Sequence, residues 1–363
     1  MIAACMKRKC FLKWEKEIYP NMYIVLVGPA GKCRKGTAMG PGMVFLNQLG
    51  IRLSAEATTR EALIKALEES KDVIENTNGL MIMHSSLTIF SQELTVFLGY
   101  NNVQLMSDLT DWYDCRDKWT YRTKGQGTDE IVGVWVNLIG ATTPELVQTT
   151  LPKDAIGGGL TSRMIFVYEE NKAKVSPIPF LNSREIELEA DLKLDLEEIS
   201  MMMGEFHPDQ GFIDKWIEWY PQQDANPPFK ELHLQGYNSR RQTHALKLSM
   251  ILNASRGGDM ILTAQDLNRA ISTIEEIEVN MAKTFSGYGL GRSSEVMSRI
   301  ITEIAICKQI RFSDLLLRFK NDVDDQGHLI RIVVTLERMK ICKVVTDADH
   351  KDMTITYTPR ENG

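Results

Sequence analysis

The chain has 363 residues, 43% of them apolar and 25% charged, an ordinary globular balance that suggests two or three domains at ~150 residues each. Lys plus Arg number 42 against 48 Asp plus Glu, a net charge of −6, so no global positive field advertises nucleic acid and any anion-binding surface is local. No run of about 18 apolar residues occurs, which excludes a transmembrane helix, and the opening MIAACMKRKCFLKW lacks the apolar core of a secretory signal.

Residues 1–40 carry eight basic and two acidic side chains. They lead into YIVLV at 23–27, which reads as a buried parallel strand. GPAGKCRKGTAMG follows, then a helical pattern through Val44, Phe45 and Leu49. Residues 60–70 read as an amphipathic helix. LMIM and LTIF read as two apolar runs flanking His84-Ser85-Ser86, and Glu93 opens a turn and helix through Leu98. Residues 118–140 read as a hairpin whose bend, KGQGTDE, is marked by Gly125 and Gly127. A helix is predicted from Pro144. Three glycines at 157–159 precede Arg163 and the strand MIFVY. The alternation to about residue 170 predicts an α/β core with a parallel sheet.

Pro177 and Pro179 break the pattern. Residues 190–283 read as mainly helical. Residues 181–236 hold four basic and thirteen acidic side chains, most simply a solvated face. Gly287, Gly289 and Gly291 read as a linker. Helices at 293–306, 313–320 and 327–339, then a terminal β-ribbon, match a winged helix. The expected domains are therefore a core over 1–180, a helical lid over 181–290 and a winged helix over 291–363. Six scattered cysteines without a C-x-x-C pair, and six histidines without H-E-x-x-H, argue against a metal site and for reduced thiols in a cytoplasm.

Strand, glycine-rich loop and helix together make an anion cradle for a nucleoside triphosphate. Gly28 and Gly31 let the chain turn, Lys35 supplies an ammonium and Thr37 a hydroxyl for Mg²⁺. The spacing departs from G-x-x-x-x-G-K-[ST]: Gly28 to Lys35 is one residue longer, and Arg34 stands at the second glycine. A basic surface loop is the plainer alternative.

YPNMYIVLVGPAGKCRKGTA resembles the P-loop ATPase segment of phage and plasmid replication proteins, the helicase part of primase–helicase polypeptides. LTIFSQELTVFLG, LTDWYDCRDKWTYRTKG, VNLIGATTP, AIGGGLTSRMIFV and SRRQTHALKLSMIL are similar to later blocks of that family, over roughly residues 5–255. The resemblance implies a RecA/AAA+-like core and ATP with Mg²⁺ as cofactors. ATP would be held by Gly28, Pro29, Gly31, Arg34, Lys35, Gly36 and Thr37. It implies Glu93 as catalytic carboxylate and, with Thr37, as metal ligand; Thr143, favoured over Thr142, as sensor; and Arg163 as an arginine finger. Arg240 and Arg241 open a helix in the lid region and read as nucleotide contacts from the same subunit. A finger implies a homo-oligomeric ring, and the family implies a primase partner in a bacterial host cell. Relative to that family the N-terminal helix reads as clipped, as in a stand-alone or truncated module. The family's acidic pair is reduced to Glu93 alone. Thr143 as a helix cap, Glu93 as a helix-start acid, Arg163 in a structural salt bridge, and Arg240 and Arg241 on a solvated helix face are the structural alternatives.

Two DNA readers are expected. In the hairpin, Trp112, Tyr113, Trp119 and Tyr121 interleave with Arg116, Lys118, Arg122 and Lys124, suiting base stacking and phosphate neutralisation on single-stranded DNA. Strand alternation turns half of those aromatics into the core. In the winged helix, Arg331, Arg338 and Lys340 lie on the third helix, behind Asp322, Asp324 and Asp325. The leading expectation is an ATP-driven motor on DNA. A non-hydrolysing, nucleotide-gated initiator or loader and a small-molecule kinase are the alternatives.

Overall fold

The computed structural model describes residues 1–75, 79, 81–123, 127–152, 159–172, 180–285, 292–320, 322–323, 325–346 and 352–358. The chain forms two compact units, Met1–Phe285 and Ser286–Gly363. The fold is α/β, with mixed sheets that contain parallel strands.

In the first unit the elements run α1 (Ile2–Met6), β1 (Cys10–Lys13), β2 (Glu17–Ile18), β3 (Tyr23–Val27), α2 (Lys35–Gln48), α3 (Arg60–Glu69), β4 (Lys71–Glu75), β5 (Met81–Ser91), α4 (Leu94–Leu98) and α5 (Val103–Tyr113). They continue as β6 (Lys118–Thr123), β7 (Gly127–Val132), β8 (Val134–Thr142), α6 (Pro144–Thr150), β9 (Met164–Tyr168), α7 (Ser183–Met201), β10 (Gly204–Pro208), α8 (Gln210–Ala225), α9 (Gln235–Asn238), α10 (Arg241–Ser255), β11 (Ile261–Leu262) and α11 (Ala264–Met281).

A five-stranded sheet in the order β4-β5-β8-β3-β9 organises this unit. β3 is inside it, parallel to β8 on one side and β9 on the other. That placement explains the unbroken YIVLV run, since a strand covered on both faces has no polar side to offer. β5 is also parallel to β8, and β4 closes the edge antiparallel to β5. Val27 lies opposite Thr142, and Ser91 opposite Gly140. β3, β5 and β8 therefore end at one edge of the sheet, and the segments that follow them meet there.

Three expectations change. Met81, Ile82 and Met83 of the first run and all of LTIF belong to one continuous strand, β5, and His84, Ser85 and Ser86 are buried within it; Leu80 lies outside the described residues. Residues 118–140 are not one hairpin: β6 pairs with β7, and β8 joins the main sheet. Gly133 causes this break. It has φ of 60°, and a Cβ there would stand 2.5 Å from the Met83 carbonyl oxygen. Nor does the chain divide near residue 180. β1 runs parallel to β10 in a second sheet, β11-β10-β1-β2, so the helical segment is tied to the N-terminus inside the first unit.

The second unit runs α12 (Arg292–Cys307), β12 (Gln309–Arg311), α13 (Phe312–Phe319), α14 (Gln326–Arg338), β13 (Cys342–Thr346) and β14 (Met353–Tyr357). Its strands form an antiparallel sheet ordered β12-β14-β13. Ile300, Ile304, Leu315, Leu329, Leu336 and Ile355 fill its core. These helices follow the expected boundaries; β12 was not anticipated. The glycine linker at 287–291 lies outside the described residues. Among the described residues no helix is long and apolar enough to cross a membrane.

Two buried histidines set an acid limit on stability. His84 Nδ1 lies 2.9 Å from Ser86 Oγ, and burial pushes its pKa from 6.5 down to about 4. His244 Nδ1 lies 3.2 Å from the Tyr113 hydroxyl and its Nε2 3.2 Å from the Ser162 carbonyl, which fixes the Nε2–H tautomer. Burial pushes its pKa from 6.5 down to about 3. Below pH 6.5 the unfolded chain takes up protons that the native state refuses, so stability falls as pH falls. Each histidine contributes about 1–2 kcal/mol per pH unit, down to its native pKa. Urea unfolding of His244→Gln between pH 6.5 and 4 is expected to show a shallower pH slope than the parent. An unchanged slope would remove His244 as a source of the acid sensitivity.

Candidate nucleotide site

At the shared edge of β3, β5 and β8, a cavity of about 350 Å³ is lined by Ala30, Gly31, Arg34, Lys35, Gly36, Thr37, Gln92, Glu93, Ala141, Thr142 and Thr143. Three segments far apart in sequence meet there because their strands end in register.

The loop after β3 is built to turn tightly. Gly31 has φ of 71°. A Cβ on Gly28 would stand 2.3 Å from the Glu169 carbonyl oxygen and 2.7 Å from Cys33 Sγ, so only glycine lets the loop lie against the end of β9. Arg34 caps α2 with φ 52° and ψ 41°. This is the left-handed conformation glycine adopts easily, held here by a residue that pays about 1–2 kcal/mol for it. The missing second glycine is thus replaced in shape and a guanidinium is added.

α2 has no side-chain N-cap. The first residue whose N–H closes a helical turn is Ala38, onto the Arg34 carbonyl at 3.0 Å. The N–H groups ahead of it remain for an anion, and the helix dipole favours one there. Lys35 Nζ curls over the loop and donates to the carbonyls of Gly28 (2.5 Å) and Pro29 (3.4 Å). Among the described residues it has no carboxylate partner.

Glu93 is exposed at the N-cap of α4, and its neighbour Gln92 lines the same cavity with a neutral amide. Thr143 caps α6, its hydroxyl accepting from the Leu146 N–H at 3.4 Å. It is therefore a cap and also a cavity wall. Thr142, the less favoured of the two sensor candidates, lines the cavity as well, whereas sequence reading missed Ala30, Gln92 and Ala141 as wall residues. Only Gln92, beside the expected acid, carried a signal.

Other expected site residues lie elsewhere. Arg163 ends a 3-10 turn immediately before β9, and Met164 is opposite Tyr23, so Arg163 sits at the far edge of the sheet from the loop. It is 8% exposed and donates to Asp114 Oδ2 at 2.6 Å and to the Gly159 carbonyl at 2.9 Å. Burial opposes ionisation of Asp114, but the Arg163 hydrogen bond and the charges of Arg163 and Arg240 hold its carboxyl below the usual range. A guanidinium buried in that pair is not presented to a neighbouring subunit, so the residue from which a ring was inferred does not support one. Arg240 shares Asp114, at 3.3 Å. Arg241 is buried against Glu278 and lines a different cavity, with Trp219, Phe229 and Glu275.

The hairpin is also placed differently. Trp119 is half-buried edge-on to Trp112 at 5.5 Å and stacks on Tyr121, and the Arg60 guanidinium lies 4.6 Å over Tyr121. Those rings serve packing rather than an open base platform. Lys118 pairs with Glu130 at 2.7 Å, while Arg122 is exposed. Lys124 lies outside the described residues. Among the described residues no cluster of three or more His, Cys, Asp or Glu side chains could hold a metal.

A scan against models of known protein families finds no match, and a search of curated proteins finds no relative.

Proposed function

We propose that this edge of the sheet binds a nucleoside triphosphate, ATP by the sequence resemblance, and that the chain is an ATP-driven motor on DNA of the phage and plasmid replicative helicase type. The convergence of Lys35, Thr37, Glu93 and Thr143 on one cavity carries the reading. Further support comes from the uncapped start of α2 and from the ammonium of Lys35 beside it, which among the described residues is held by the Gly28 and Pro29 carbonyls and by no carboxylate. The order helix–strand–helix–helix–hairpin in the second unit supports reading it as a winged helix.

In this reading Lys35 leaves the loop carbonyls to meet the outer phosphates, and Arg34 adds charge at the rim. Glu93 orients the attacking water and accepts its proton, with Thr143 as a second hydrogen-bonding wall. The resemblance implies Mg²⁺, and the Thr37 hydroxyl and Glu93 carboxylate are hard oxygen donors on one cavity that suit it. Bound with ATP, the ion would neutralise phosphate charge.

Phosphate release from ATP, with and without single-stranded DNA, tests this directly. Turnover raised by DNA is the expected result; equal turnover with and without DNA defeats the motor. A second reading, a nucleotide-gated initiator or loader that binds without hydrolysis, is favoured by Gln92, which brings a neutral amide and not a second carboxylate to the cavity. It predicts ATP-dependent DNA retention on filters with no phosphate released.

A further inference from the structure

Trp14, at the tip of the β1–β2 hairpin, meets Trp216 and Tyr220 on one face of α8. Trp14 and Trp216 are edge-on at 5.3 Å, and Trp216 and Tyr220 stack at 5.6 Å with 28° between planes. Tyr220 is 41% exposed and both tryptophans are half-buried. With Lys13, Lys16, Glu15, Gln242 and Thr243 they line a cleft of about 560 Å³, within the ~300–1,000 Å³ range of ligand pockets. Lys13 and Lys16 have no ion pair or side-chain hydrogen bond among the described residues, so their ammonium groups are uncommitted. Lys16 and Thr243 also line a small adjoining cavity that adds Arg240 and Lys247, against the carboxylates of Glu17 and Asp114.

The cleft lies at the opposite edge of the sheet from the phosphate loop. Asn21, just ahead of β3, accepts from the buried Lys247 at 3.0 Å, and Lys247 lines the adjoining cavity. Arg8 donates to the carbonyls of Cys115 (2.6 Å) and Val134 (2.9 Å), tying the segment before β1 to the base of the β6–β7 hairpin. Trp14 also packs against Phe212 and Trp216 against Trp219, so the ring surface left to a ligand is that of exposed Tyr220 and the outer parts of the two tryptophans. Such surface, beside two cations without an ion pair among the described residues, suits single strands: every base has a face to stack, and every phosphate a charge to neutralise.

We infer that single-stranded nucleic acid lies in this cleft, its bases on Trp14, Trp216 and Tyr220 and its phosphates on Lys13 and Lys16. The inference rests on the reading of the chain as a motor on DNA, and it moves the aromatic contact from the hairpin to β1–β2 and α8.

The tryptophans report on it directly. A thymidine oligonucleotide longer than ~16 nucleotides, titrated into the full chain, is expected to quench their fluorescence. Tyr220→Ala and Trp216→Ala should each weaken binding by roughly 5- to 100-fold. Lys13→Gln with Lys16→Gln should flatten the slope of log affinity against log salt by about 1.4. The two lysines and Tyr220 are exposed, so those variants keep the fold even if Trp216→Ala does not. Parental affinity and salt slope in both the lysine pair and Tyr220→Ala overturn the inference. If Arg122→Ala alone abolishes binding, the hairpin is the contact and the motor reading survives without this cleft. If the parent chain binds no oligonucleotide, the DNA reading itself falls, and this inference with it.

Discussion

Lys35→Ala is expected to lower ATP turnover by about 10²- to 10³-fold, the usual cost of removing one preorganised charge from a developing anionic transition state. The side chain is only half-buried, and among the described residues its ammonium hydrogen-bonds only the carbonyls of Gly28 and Pro29. Its loss removes little folding energy, and the thermal midpoint should move by no more than a few degrees. Lys35→Arg separates charge from shape: the longer, planar guanidinium cannot enter a loop that folds back on Gly28, so it should rescue binding better than turnover. Phosphate release and nucleotide titration on the same preparations check both points. Turnover within a few-fold of the parent would place the reacting phosphates elsewhere.

Much of this site is legible in the sequence because it is local. YIVLV, the glycine-rich loop and the start of α2 are contiguous, and each residue type has one physical use there. Arg34 shows the limit. Its backbone does what a glycine would do, which residue identity alone hides. Glu93, Thr142 and Thr143 line the cavity from the ends of β5 and β8, and polar residues that end a strand are also a local signal, though the choice of Glu93 and of Thr143 over Thr142 came from the resemblance. The failures are tertiary. Arg163 follows a glycine run and precedes a strand, as a finger would, but the parallel register of β9 with β3 carries it to the wrong edge of the sheet. Trp119 and Tyr121 look like a reader because they alternate with cations. Their partners, Trp112 and Arg60, come from helices α5 and α3, which alternation cannot see. The Trp14–Trp216–Tyr220 cluster joins segments about 200 residues apart in the chain, through the pairing of β1 with β10. No sequence window contains it.

Arg241 gives the sharpest separation of nucleotide contact from scaffold. Its guanidinium donates twice to Glu278, Nε to Oε1 at 2.7 Å and Nη2 to Oε2 at 2.9 Å. Tyr237 adds a hydroxyl to the same carboxylate at 3.0 Å, and both charged side chains are 6–7% exposed. Glu278→Ala strands a buried guanidinium, with only the more distant Glu275 at 3.6 Å as a substitute. Removal of one partner from a buried pair costs about 3–5 kcal/mol, so the urea midpoint should drop sharply. Arg241→Met with Glu278→Leu should recover most of that loss, since neither charge is then left without its counterpart and the volumes are kept. Where the double variant folds, its ATP affinity should equal the parent's, because Arg241 faces the cavity of Trp219 and Phe229 and not that of Lys35. A large loss of ATP affinity in a stably folded double variant would return Arg241 to the nucleotide and require the helical segment to close onto the phosphate loop.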